Sequence, residues 1–125
     1  MISHWCRLQN EVSLSSGEAE LYAGNRGLCE LAGALVFYRE VHGETWGSST
    51  HCLDSSASRS FLLRKGTGSM KHIETKAMWG QQFIRDKAVK VMKVPREANC
   101  ADILASPCSA ADLEKHLHAM GFRAP

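Results

Sequence analysis

Apolar residues recur at helical spacing from Leu21 through Leu28, Leu31, Ala32 and Leu35, which predicts a helix from Gly17 to about Val41. Its start is marked by Ser15-Ser16-Gly17-Glu18, a capping box in which Ser15 caps the helix and Glu18 reaches back to it. Gly43 is the expected stop. Gly24, Gly27 and Gly33 lie inside this helix, each costing ~1 kcal/mol against alanine, and predict close packing on a sheet. Ahead of it, Trp5 to Leu14 alternates loosely and predicts a strand.

The pattern then switches between periods. Thr50-His51-Cys52-Leu53 is a short β-prone run, and Asp54-Ser55-Ser56 offers caps for a helix over Ala57 to about Arg64. Gly66-Thr67-Gly68-Ser69 reads as a loop. Ile73, Ala77, Trp79, Phe83 and Ile84 predict a helix to Asp86, and Ala88 to Val94 a strand stopped by Pro95. Asn99-Cys100-Ala101-Asp102 opens a helical turn interrupted by Pro107. Ser109 caps a last helix through Met120, ended by Gly121. Strands alternating with helices predict an α/β architecture with parallel strand pairs.

With 125 residues, the chain is expected to form a single domain. Its ordinary balance of 44% hydrophobic and 22% charged residues excludes collagen-like and globally disordered classes. The longest apolar stretch, Leu31 to Tyr38, is too short to span a bilayer. No basic segment followed by an apolar core opens the chain, and the five cysteines lie far apart, so an intracellular, non-secreted protein is expected. The cysteines lack zinc-type pair spacing, and no phosphate-binding glycine loop with its lysine is present.

Charge is unevenly placed. Ten Lys/Arg and two acids lie between Arg59 and Arg96, a net +8, whereas the remainder has five basic residues against eleven acids, a net −6. Such a block suits a polyanion, and is equally read as solvated helix and strand faces. Within it Arg64 and Lys65 are candidate nucleic-acid contacts, while Trp5, Trp46 and Trp79 offer rings for base stacking or for a core.

Three acids occupy chemically loaded places. Glu20 lies early in the long helix, Asp54 at the carboxyl end of a strand, and Asp102 in a turn after a strand and loop. In open α/β sheets, sites gather at the carboxyl ends of strands, and carboxylates from distant segments are the hard donors that magnesium requires. The same acids also suit helix starts and caps.

Leu14-Ser15-Ser16-Gly17-Glu18-Ala19-Glu20-Leu21-Tyr22-Ala23 resembles the LSSxEAEYxA word of the ribonuclease H domain in copia-type retrotransposon Pol polyproteins. Leu53-Asp54-Ser55-Ser56-Ala57 is similar to its DNxxA strand end, Lys71-His72-Ile73-Glu74 to KHIDI, and Phe83-Ile84-Arg85 to FIRE. Val94-Pro95 through Asn99 and Ala101-Asp102-Ile103-Leu104 resembles VPTxxNxADILTK. These words fall in family order between Leu14 and Ala105.

The resemblance implies a ribonuclease H-like fold, a mixed sheet with flanking helices. It also implies that this fold is incomplete, because the family's first two strands and the aspartate of the first have no counterpart before Glu20. Such a chain is expected to be an N-terminally truncated piece, a single partial domain over residues 1–125. Glu20, Asp54 and Asp102 take the catalytic and metal-ligand positions, with two magnesium ions implied and manganese as a substitute. Lys71 and His72 match a word that implies either nucleic-acid contact or a helix start. The implied partners are an RNA·DNA hybrid or other nucleic acid and the remaining Pol polyprotein, including its reverse transcriptase, with no membrane. The implied function is hydrolysis of the RNA strand during reverse transcription; a chain lacking the first carboxylate is alternatively an inactive remnant that at most binds nucleic acid.

Overall fold

The computed structural model describes residues 12–68, 75–104 and 107–122. They form a mixed α/β structure with four α-helices and a two-stranded parallel sheet among the described residues. The chain divides into two compact units, the first within Gln9–Lys93 and the second, among the described residues, from Val94 onward. The strand expected over Trp5–Leu14 lies mostly outside the described residues, and Val12–Leu14 are not in a strand.

In the first unit, α1 spans Ser16–His42, β1 Thr50–Leu53, α2 Ser56–Leu63, α3 Thr75–Asp86 and β2 Lys90–Lys93. The α1 start follows the capping signal: Ser15 Oγ accepts from the Glu18 amide at 3.2 Å. The Glu18 carboxylate reaches the Leu14 amide at 2.7 Å and accepts from Tyr22 Oη at 2.9 Å, so this acid is buried yet hydrogen-bonded. Gly43 closes α1 at φ +72°, where a side chain would be strained.

β1 and β2 pair in parallel, with Thr50 opposite Lys90 and Leu53 opposite Lys93. Val91 is buried and His51 and Leu53 half-buried, whereas Cys52 and Met92 are exposed. The alternation follows the two-residue period of a sheet covered on one face. The core is Leu21 and Leu28 of α1, Phe61 and Leu62 of α2, Ile84 of α3, and Val89 and Val91. Each such side chain contributes ~1.5–3 kcal/mol by leaving water.

Two glycines explain how a long helix approaches this layer. A Cβ on Gly24 would stand 2.9 Å from Ser58 Oγ, and one on Gly27 would stand 2.8 Å from His51 Cε1. Gly33, expected to share this role, has nothing within 4 Å of its Cβ position. Beyond Leu31 the helix leaves the core, and Val36, Phe37 and Val41 are exposed.

Buried Gln81 of α3 joins three segments. Its amide nitrogen donates to the Phe61 carbonyl at 2.9 Å and the Gly66 carbonyl at 3.0 Å, and its oxygen accepts from the Gly66 amide at 3.0 Å. The loop held there turns through Gly66 and Gly68, both at positive φ.

The second unit contains 3-10 turns at Arg96–Ala98 and Cys100–Leu104 and helix α4, Ala110–Ala119. Ser109 caps α4 by accepting from the Asp112 amide at 3.1 Å. His116 is buried, and Gly121 follows the helix at φ +85°.

The glycine contacts predict opposite outcomes within one helix. Gly33→Ala is expected to raise the unfolding free energy by about 0.5–1 kcal/mol through helix propensity. Gly24→Ala is expected to lower it by about 1–3 kcal/mol through overpacking. Urea denaturation of both variants checks this; equal shifts of the same sign would contradict the packing account.

Candidate functional site

The carboxyl end of β1 runs straight into α2, and Asp54 stands at that corner. Ser55, not Asp54, caps α2: its Oγ accepts from the Ser58 amide at 3.2 Å. Asp54 is half-buried beside the cap.

Ser58 then connects this corner to α1. Its fully buried hydroxyl donates to the Glu20 backbone carbonyl at 3.2 Å, across 38 positions in the chain. The first turn of α2 is thereby fastened to the helical turn carrying Glu20, whose side chain is exposed. Gly17, one turn earlier, allows the same approach, with its Cβ position 3.6 Å from Ala57 Cβ. Segments bearing two of the three singled-out acids therefore meet through the Ser58 hydroxyl and the close approach at Gly17. Ser58 was not legible as their connector; only its place three residues after a cap hinted at a structural role.

Asp102 belongs to the second unit. It lies inside the Cys100–Leu104 turn, and its Oδ2 accepts from Arg96 Nε at 3.1 Å. Arg96 is 75% exposed and Asp102 27% exposed, so this ion pair contributes at most about 1 kcal/mol. A cleft of about 330 Å³ opens beside the pair and also receives Glu97, Cys108, Asp112 and His116.

Glu20, Asp54 and Asp102 are hard oxygen donors with some solvent access. Their donor chemistry suits magnesium, which keeps waters and commonly takes one or two carboxylates plus phosphate oxygens. Among the described residues, no group of three or more His, Cys, Asp or Glu is arranged to hold a metal ion.

The basic candidates separate. Lys65 is exposed. The Arg64 guanidinium instead serves its own loop, donating to the Thr67 carbonyl and lying 4.7 Å from the Phe61 ring centre. Lys71 and His72 lie outside the described residues. Among the described residues no helix is long and apolar enough to cross a membrane.

His51, three residues before Asp54, anchors β1 to α1. Its imidazole rests on Gly27, and its Nε2 is buried without a hydrogen-bond partner. Burial lowers its pKa below the ordinary 6.5, opposed by a hydrogen bond to the Gly24 backbone.

No family model matches the chain, and no curated protein or solved structure shows significant similarity to it.

The buried imidazole gives stability a defined pH dependence. Because its folded pKa is depressed, the unfolded chain binds this proton first. The stability associated with neutral His51 is present above pH 6.5 and declines as pH falls through the lower folded pKa. Urea titrations across this interval should show a steeper acid loss for the wild type than for His51→Gln. Parallel curves would contradict the assignment.

Proposed function

We propose that the chain is a ribonuclease H-type domain derived from a copia-type Pol polyprotein, built for metal-dependent hydrolysis of the RNA strand in RNA·DNA hybrids. The observation carrying this reading is the Ser58–Glu20 hydrogen bond, which fastens the Glu20 turn to the β1–α2 corner where Asp54 stands. Carboxylates near the carboxyl end of a parallel strand occupy the place where α/β sheets build sites. The ordered sequence words from Leu14 to Ala105 support the same reading.

Glu20 and Asp54 are the residues of the first unit that would hold divalent ions, and Asp102 is the candidate ligand carried by the second. Bound there, such ions would supply charge stabilisation at a phosphodiester and an activated water. The chain's own contribution is to fasten the Glu20 turn to the first turn of α2 through the Ser58 hydroxyl. Lys65 and the other exposed cations of the Arg59–Arg96 block supply attraction for the polyanion.

A second reading is a remnant that binds nucleic acid without cleaving it. It is favoured by the net charge of +8 between Arg59 and Arg96, which attracts a polyanion whether or not cleavage follows.

The deciding experiment measures binding and cleavage of a labelled RNA·DNA hybrid in magnesium at two salt concentrations. Hybrid affinity is expected to fall steeply with salt, because each neutralised phosphate releases counterions. Cleavage is expected to disappear in Asp54→Asn and Glu20→Gln. Absence of hybrid binding, or cleavage indifferent to both substitutions, would overturn the ribonuclease H reading. Salt-dependent binding with no cleavage would select the remnant.

A further inference from the structure

The widest side chain of α3 is not in the core. Trp79 is 40% exposed, although Gly80, Gln81 and Ile84 of the same helix are buried. Its indole lies nearly flat on Phe83, with ring centres 4.8 Å apart and planes inclined by 23°. Phe83 is itself partly buried and packed against the core. The exposed ring is thus held by a neighbour that cannot easily move, a preorganised stacking surface with little rotamer entropy left to lose.

The electrostatic setting selects the ligand. Trp79 falls within the Arg59–Arg96 segment of net charge +8. Arg85 and Lys87 follow on α3 and just beyond it, both exposed, with Asp86 as the intervening acid. Another exposed tryptophan among the described residues makes the contrast. Trp46 meets Tyr38 edge-on at 4.7 Å, but the sequence between them holds two acids, Glu40 and Glu44, against one cation, Arg39. A π-surface in a cationic field suits a ring attached to a phosphodiester chain.

We propose that Trp79, braced by Phe83, is a stacking platform for an unpaired base of single-stranded nucleic acid. This platform uses none of the three carboxylates, and a base-paired hybrid does not offer it a free ring. The cations draw in the phosphate chain, and the indole takes one base by stacking, which is tolerant of base identity.

The test compares a labelled oligothymidylate with an abasic oligomer of equal length and charge, using anisotropy at low salt. Trp79→Ala is expected to lose about tenfold in affinity for the oligothymidylate, the scale of one stacked base, with affinity for the abasic oligomer unchanged. Unchanged abasic binding also shows that the variant is folded. Trp79→Phe, which keeps a ring, should recover part of the loss. Equal loss on both oligomers, no loss on either, or wild-type binding to neither would overturn the proposal. Sedimentation showing self-association that Trp79→Ala abolishes would place a second copy on the platform, and would also overturn it.

Discussion

A buried serine hydroxyl joins two parts of the chain that have no local reason to meet. Ser58 donates to the Glu20 carbonyl, and that carbonyl is within reach only because Gly24, one turn along α1, has no side chain at the crossing. The hydrogen bond itself is modest, of order 0.5–1.5 kcal/mol net. Its larger effect is on geometry. It sets how deeply α1 seats against α2, and so where Leu21 and Leu28 enter the core and where the end of β1 stands relative to Glu20. The imidazole of His51 occupies the corresponding gap at Gly27.

The local elements were legible because each carries its own chemistry. Ser15, Ser55 and Ser109 are all observed caps, and Gly43 and Gly121 stand at positive φ beside helix ends. The short β-prone run Thr50–Leu53 is a strand with the expected boundaries. Partners beyond the caps themselves were not legible. Glu18, an apparent capping residue, binds the Leu14 amide one position beyond the cap and also Tyr22. Gln81, unremarkable in sequence, is the buried crosslink of the Gly66 loop. Gly33 shares the spacing of its neighbours, yet it lies where α1 has left the sheet.

The candidate site divides along the same line. The position of Asp54 at a strand end follows from a local pattern. Its linkage to Glu20 depends on Ser58, a contact between residues 38 apart. Arg64 belonged to the basic block by charge alone, but its stacking on Phe61 and bond to Thr67 turn it towards holding the loop while Lys65 faces solvent. Trp79 departs from its helical-spacing expectation because α3 presents its narrow side, Gly80 and Gln81, to the core. The helix therefore carries its broadest ring at the margin, within the most cationic stretch of the chain.

The central proposal is that the Glu20 turn and the Asp54 corner of the first unit belong to a divalent-cation site. Manganese titration followed by amide line broadening in NMR spectra tests it most directly, because the paramagnetic ion marks its surroundings whether or not catalysis occurs. The account predicts broadening centred on amides near Glu20 and Asp54, saturating together and reversed by excess magnesium. Broadening confined to other acids, such as Glu40 and Glu44, or spread without saturation over the surface, would contradict it.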